Sequence, residues 1–176
     1  MTRKLALLGS TLCFALSAGV ACADDLPVRK AGLWEMKLVT SGSPMPEMTM
    51  QHCTDESVDK EMSNNVSPMA KQICAKQEIK KTATGYVSDS ECNVAGVSTT
   101  SHAEISGDFS SAYTVKTTSH AQGGVAGAAG RDTTVQLQAK WLGACKPDQK
   151  PGDIVMPGGF KMNVRDMDKL KALLPK

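Results

Sequence analysis

The chain has 176 residues, with 20 Lys and Arg against 18 Asp and Glu, a formal net charge of +2 and 4% aromatic residues. This charge balance excludes the strongly basic proteins that bind nucleic acid or anionic membranes through a dense positive patch. The length fits one domain, and a core with so few large rings is thin, so we expect disulfides to contribute to stability.

Residues 1–23 have the parts of a secretory signal peptide. Arg3 and Lys4 supply the basic start, residues 5–18 supply an apolar run that is short for a bilayer span, and Ala21-Cys22-Ala23 is a small-x-small cleavage site. We therefore expect cleavage after Ala23 and a secreted mature chain without a transmembrane span.

Lipidation at Cys22 is the alternative, and it is less favoured because Gly19 stands where a large aliphatic residue is wanted. Cleavage after Ala23 leaves a single domain over residues 24–176. It also removes two basic residues, so 18 basic residues face 18 acidic ones and the net charge becomes zero.

The first predicted strand, residues 31–40, places Trp34, Met36 and Leu38 on one face and charged residues on the other. Residues 42–46 carry Gly and Pro breakers, and residues 47–53 form a second short strand. An inserted helix follows, with Thr54 as its N-cap and an apolar stripe of four residues. The stripe is formed by Val58, Met62, Val66 and Met69.

Residues 72–81 and 86–93 alternate on either side of Thr82-Ala83-Thr84-Gly85, which predicts a β-hairpin. A turn centred on Ala83 places Cys74 opposite Cys92. A two-residue turn at Thr84-Gly85 would pull the two cysteines out of line. We favour the first register because exported thiols need partners.

The remaining chain predicts a second hairpin, a further strand and a short closing helix. The hairpin strands are residues 97–105 and 109–120, and the next strand is residues 133–142. A Pro- and Gly-rich linker at 146–159 leads to a helix at 165–174. The fold class is therefore mainly β: about seven antiparallel strands in a curved sheet or incomplete barrel, with one inserted helix and a short C-terminal helix over a core of residues 31–145.

Four cysteines remain in the mature chain and predict two disulfides in an oxidising compartment. The hairpin pairs Cys74 with Cys92 and leaves Cys53 for Cys145. The pairs Cys53–Cys74 and Cys92–Cys145 stay open as an alternative. A zinc site is disfavoured because the sequence has no C-x-x-C pair.

These motifs together resemble the domain-of-unknown-function 3617 family. The residues that carry the resemblance are Gly32-Leu33-Trp34-Glu35, Cys53-Thr54, the Cys74 to Cys92 hairpin, Gly107 to Tyr113, and Leu142-Gly143-Ala144-Cys145. The resemblance implies an exported periplasmic protein of Gram-negative bacteria, and implies no particular activity or catalytic residues. The Gly-x-Trp opening also looks like the first strand of lipocalin-type barrels, which hold small apolar ligands.

A methionine cluster is the sharpest candidate for chemistry. Met45, Met48, Met50 and His52 lie close in sequence, and the last three project from one strand face. Thioethers with an imidazole suit Cu(I), which would make the protein a copper handler. Packing of these methionines against the helix is the favoured interpretation, because Met is an adaptable core residue.

The sequence favours a non-catalytic binding or accessory module, with a small apolar ligand or an envelope protein as its partner and no cofactor. A β cup would be lined by Trp34, Met36, Leu38, Leu137 and Trp141. Motifs of hydrolases and metalloproteases are missing, so an enzyme with an unrecognised site is the weaker alternative. His102 and His120, on the two arms of the second hairpin, are interpreted as surface residues.

Overall fold

The computed structural model describes residues 26–42, 46–62, 73–123 and 130–166. A single open antiparallel sheet of nine strands dominates them. The strands are β1 (Gly32–Ser41), β2 (Met48–Thr54), β3 (Cys74–Thr82), β4 (Gly85–Val94), β5 (Val97–Gly107), β6 (Ala112–Gly123), β7 (Arg131–Gly143), β8 (Asp153–Val155) and β9 (Lys161–Asn163). Helix α1 covers residues 56–62, and 3-10 turns form at Pro157–Gly159 and Val164–Asp166.

The sheet confirms the prediction of a mainly β, antiparallel fold. Its strand order is β3-β4-β5-β6-β7-β1-β2-β8-β9, so β3 to β7 form a meander that returns to pair with β1. Short links between consecutive strands permit only antiparallel pairing there. The sheet stays open and does not close into a barrel.

Two of the nine strands lie outside the region predicted as strand. β8 falls inside the predicted linker 146–159 and pairs with β2, while β9 pairs with β8. The Gly152 amide also donates to the Cys53 carbonyl over 2.8 Å. Three-residue strands carry no readable alternation, which is why the sequence pattern missed them. Of the predicted helix 165–174, only Arg165 and Asp166 belong to the described residues, and both lie in a 3-10 turn.

The central hairpin has neither of the two predicted registers. Thr82 pairs with Gly85, so Ala83 and Thr84 form the two-residue turn and Gly85 opens β4. A bulge at Ala75 then shifts the pairing by one residue and brings Cys74 opposite Cys92. Gly85 is required there because an added Cβ would overlap the Ile105 carbonyl oxygen.

The disulfides are Cys53–Cys145 and Cys74–Cys92, the two pairs that the hairpin argument favoured. Cys53–Cys145 joins positions 92 residues apart and links β2 to the segment after β7, on either side of β1. The chain-entropy model gives a closed loop of that length ~4–5 kcal/mol of stability, and the shorter Cys74–Cys92 loop ~3 kcal/mol.

Helix α1 is capped one residue later than predicted. The Asp55 carboxylate accepts a hydrogen bond from the Val58 amide at 2.8 Å, so Asp55 and not Thr54 is the N-cap. Val58 is fully buried, as the predicted apolar stripe requires, and Met62 is half-buried. Val66 and Met69 lie outside the described residues.

Candidate functional site

One face of the sheet, here called the inner face, carries the core. Trp34, Ile105, Phe109, Tyr113 and Ala139 form its buried cluster. The ring of Tyr113 stacks on Phe109 with centroids 4.9 Å apart and lies 5.5 Å from the ring of Trp34. We call this part of the inner face the closed end, because large side chains fill it.

The prediction that a strand begins at Phe109 is wrong, because Phe109 reaches the closed end from the loop between β5 and β6. Its backbone takes a positive φ of 53° between β5 and β6. The Asp108 carboxylate holds this loop by accepting from the Ser110 amide at 2.8 Å and the Ser111 hydroxyl at 2.6 Å. Hydrogen bonds from the Ser111 hydroxyl and amide and from the Ser110 amide hold the pKa of Asp108 well below its ordinary value.

A buried arginine cluster, formed by Arg29, His52, Asp59 and Tyr113, borders the closed end. Arg29 donates from Nε to Asp59 Oδ1 and from its amide to Asp59 Oδ2, each at 2.7 Å. The two side chains are only 10% and 11% exposed. Burial alone would lower the pKa of Arg29, but the hydrogen bonds and the charge of Asp59 outweigh it and raise the pKa. The pair joins the N-terminal segment to helix α1 over the sheet.

His52 lies against this cluster with no solvent exposure. Its Nδ1 is 3.5 Å from an Arg29 nitrogen, which can only donate, so Nδ1 accepts and the proton sits on Nε2. No partner for Nε2 is present among the described residues. Burial first, and the Arg29 charge second, lower the pKa of His52 from 6.5 to about 4. His52 is therefore a neutral imidazole at neutral pH.

The structure distributes the five predicted cup residues between the core and its margin. Trp34 is fully buried and donates its indole N–H to the Lys30 carbonyl at 2.8 Å, so it is a packing residue. Met36, Leu137 and Trp141 are half-buried against the core cluster, and Leu38 is half-buried opposite Leu137. The five residues share the inner face, but Trp34 has no surface left to offer a ligand.

The predicted methionine cluster is only partly described. Met48, Met50 and His52 share the inner face of β2, opposite Leu38, Met36 and Trp34. Met45 lies outside the described residues. The Arg29 guanidinium next to His52 Nδ1 places a fixed positive charge where a copper ion would need an electron-rich surrounding.

The inner face changes character along β4, β5, β6 and β7. We call the far part the open end, and it has three consecutive cross-strand rows. The apolar row is Tyr86, Ile105, Val115 and Leu137; the middle row is Ser88, Ala103, Thr117 and Val135; the hydroxyl row is Ser90, Ser101, Ser119 and Thr133. Apart from Ile105, which is buried, these side chains are half-buried. The face therefore grades from apolar to hydroxyl-bearing over about 14 Å, two steps of alternating residues along a strand.

The hydroxyl row is internally paired, since Ser101 Oγ lies 2.9 Å from Ser119 Oγ. None of the positions in the middle and hydroxyl rows carries a titratable side chain. Such a surface can accept and donate hydrogen bonds and cover apolar groups, but it offers no acid, base or metal ligand.

Sequence reasoning missed both Arg29 and Asp59. Arg29 precedes the first alternating strand and belongs to no pattern. Asp59 stands next to Val58 and one helical turn before Met62. A charged residue at the margin of the apolar stripe was therefore the one sequence signal for a buried ion pair. The open end is equally hard to see in the sequence, because Ser and Thr at alternating positions are typical of ordinary half-solvated strands.

Two absences apply to the described part of the chain. No helix there is long and apolar enough to cross a membrane. No group of three or more His, Cys, Asp or Glu side chains within residues 26–42, 46–62, 73–123 and 130–166 is arranged to hold a metal ion. The predicted signal peptide and Cys22 lie outside these ranges and remain predictions.

A family model described as "protein of unknown function (DUF3617)" matches residues 29–145, more than half of the chain. The chain belongs to this family. The match confirms the resemblance found in the sequence, and it runs from Arg29 to the Cys145 of the long disulfide. The DUF3617 match therefore contains the buried arginine cluster, both disulfides and all three rows of the open end. No curated protein and no solved structure matches this chain.

The Gly32 and Gly143 motifs of the DUF3617 resemblance meet in space. A Cβ added at Gly32 would overlap the Gly143 carbonyl oxygen, where β1 and β7 approach each other beside a bulge. The glycine before Leu33-Trp34 is thus needed for close strand approach.

Proposed function

We propose that this protein is a non-catalytic binding module of the bacterial periplasm, and that the open end of its inner face takes a small amphipathic molecule. The observation that carries the proposal is the gradient across the three rows, from Tyr86–Ile105–Val115 to Ser90–Ser101–Ser119. An apolar part of the ligand would lie on the first row, and its polar part would exchange hydrogen bonds with the hydroxyl row.

The distribution of titratable groups supports binding over catalysis. The middle and hydroxyl rows carry only small apolar and hydroxyl side chains. The buried arginine cluster could supply charge, but Arg29 and Asp59 are already paired with each other and shielded from solvent. General acid–base chemistry needs a titratable group within hydrogen-bond reach of the substrate, and no such group belongs to these two rows.

The sequence and the disulfides support the periplasmic part of the proposal. A signal-peptide pattern at residues 1–23 and two disulfides fit an oxidising compartment. One disulfide joins β3 to β4, and the other joins β2 to the segment after β7. Disulfides at these two places can stabilise a half-buried binding face without a large aromatic core.

Native mass spectrometry of the mature protein, isolated from periplasm, tests the proposal. Ala103 lies in the centre of the middle row, so Ala103→Trp would fill the open end with an indole ring. Its neighbour Glu104 projects from the opposite face, so Glu104→Trp is the matched control. We expect a small-molecule adduct on the wild-type protein and on Glu104→Trp, and its loss from Ala103→Trp.

Two results would contradict the proposal: a bare wild-type mass, or an adduct that Ala103→Trp retains. A bare mass together with a co-isolated envelope protein would favour an accessory module that binds a protein partner. Copper handling is the remaining alternative from the sequence. It would be favoured by a stoichiometric Cu(I) adduct that Met48→Leu with Met50→Leu abolishes.

A further inference from the structure

The outer face of the sheet carries two aspartate–histidine pairs on adjacent hairpin strands. His102 Nδ1 lies 2.7 Å from Asp89 Oδ1, and His120 Nδ1 lies 2.6 Å from Asp132 Oδ1. A carboxylate at neutral pH only accepts hydrogen bonds, so each imidazole donates from Nδ1. The hydrogen bond from His102 also lowers the pKa of Asp89. In the neutral imidazole, Nε2 is then the nitrogen that carries the free lone pair.

The register places the two histidines diagonally on the same face. His102 on β5 is opposite Thr118, and His120 on β6 is opposite Thr100. Diagonal residues of this kind stand ~7–8 Å apart, a distance that long or aromatic side chains can bridge. The two histidines lie at different distances from the turn between β5 and β6, and this offset is what makes them diagonal neighbours.

The carboxylates pull the two rings in opposite directions. Asp89 lies on β4, beyond His102, and Asp132 lies on β7, beyond His120. The two nitrogens of an imidazole point away from each other, so anchoring each Nδ1 outwards turns each Nε2 towards the gap between β5 and β6. Both histidines line one groove of about 330 Å³ there, with Thr100, Thr118 and Glu91 among its other residues.

We propose that His102 and His120 bind a divalent transition-metal ion of the Zn²⁺ class through their Nε2 atoms. A carboxylate that fixes the Nδ1 proton is the usual outer partner of a metal-binding histidine, because it sets the tautomer and raises the basicity of the other nitrogen. Imidazole nitrogens suit Zn²⁺, Cu²⁺ and Ni²⁺. The two histidines are the only protein ligands in this proposal, and water completes the coordination shell. Glu91 lines the same groove and adds negative charge near the ion.

The site is separate from the binding face proposed above. The histidines project from the outer face, with side chains 51% and 42% exposed, and the three rows of the open end occupy the inner face. An ion there would bridge β5 and β6 on the outside of the strands that carry the hydroxyl row. A test of the metal site can therefore fail or succeed independently of the proposed small-molecule ligand.

Isothermal titration of the mature, disulfide-bonded protein with Zn²⁺ at pH 7 tests the proposal, alongside nitrogen-15 NMR of the histidine rings. We expect saturable binding of one equivalent and a change at the Nε2 resonances of both histidines. His102→Asn or His120→Asn should each abolish saturable binding. Asp89→Asn and Asp132→Asn should each weaken it about 10-fold or more, because they release the tautomer.

Glu104→Gln is the matched control, since Glu104 is a carboxylate on the same strand and face as His102 but does not line the groove. It should bind Zn²⁺ as the wild-type protein does. The proposal is overturned if the wild-type protein shows no saturable Zn²⁺ binding, or if stoichiometric binding persists when both histidines are replaced by Asn. All five substitutions are at exposed or half-exposed positions, and circular dichroism will verify that each variant is folded.

Discussion

The closed and open ends of the inner face are built on the same strands but with different side chains. On the inner face of β5, Ile105 is buried among aromatic rings. The next two residues on that face, Ala103 and Ser101, are only half-buried. Large rings leave no free surface, and small hydroxyls leave a floor on which another molecule can lie. The comparison teaches that tight packing is confined to one end of the inner face, and the proposed binding surface lies at the less tightly packed end.

The three histidines show the same division. His52 at the closed end is enclosed beside a guanidinium and is held neutral. His102 and His120 each have a carboxylate partner and remain accessible. A buried imidazole next to a cation is part of the packing. Exposed imidazoles that carboxylates orient have the arrangement that the proposed metal site needs.

Breaking the buried arginine cluster should have the largest effect. Asp59→Asn leaves the Arg29 charge buried without its counter-ion, and we expect a loss of ~3–5 kcal/mol in the free energy of unfolding, measured in urea. Glu56→Gln on the same helix is the control, because its exposed pair with Lys60 contributes at most ~0.5 kcal/mol.

A second variant separates charge from packing. Replacing the pair together, with Arg29→Met and Asp59→Leu, should restore most of the stability lost in Asp59→Asn, because no charge is then left unpaired. Equal losses in Asp59→Asn and Glu56→Gln would show that the cluster does not hold the closed end together.

Acid should weaken the closed end through His52. Its pKa is about 4 in the folded chain against 6.5 when unfolded, so the unfolded chain binds the proton more readily between those values. Stability should therefore fall as the pH drops from 6.5 to 4, by ~3 kcal/mol in total, and this contribution should not change further below pH 4.

Urea unfolding at pH 7, 5.5 and 4.5 measures this loss. His52→Gln should flatten the profile over that window. Carboxylates with lowered pKa values, such as Asp89 and Asp108, lose their contribution at lower pH and do not mask the effect. If the free energy of unfolding depends on pH in the same way with and without His52, then His52 is not the source of the acid destabilisation.

Much of the fold could be predicted because alternation survives wherever one face of a strand is buried. Residues 31–40 and 133–142 were located to within two residues at each end, since Trp34, Leu137 and Trp141 alternate with charged or polar neighbours. The hairpin between the cysteines was predicted from the alternation on either side of its turn, but its register was placed wrongly. The bulge at Ala75 was not predicted, as nothing in its local sequence distinguishes it from its neighbours.

The candidate sites were harder to predict than the fold. Side chains from distant segments create them: Arg29 meets Asp59 only after the chain folds, and His120 meets Asp132 only through the β6–β7 register. Serines and threonines at alternating positions predict a strand, but which face they lie on is known only when the neighbouring core residues are placed.

The smallest effect should come from the open end, and it sharpens the comparison. Ser101→Ala removes the hydrogen bond to Ser119 at a half-buried position, so we expect a loss of only ~0.5–1 kcal/mol in the free energy of unfolding. Ile105→Ala, four residues further along β5 on the same face, should cost ~2–5 kcal/mol, because it leaves a cavity among rings. Equal losses from the two substitutions in urea would mean that the hydroxyl row is packed as firmly as the core. An open end of that kind could not admit a ligand without unfolding locally. This pair of variants therefore measures whether the open end is less tightly packed than the closed end.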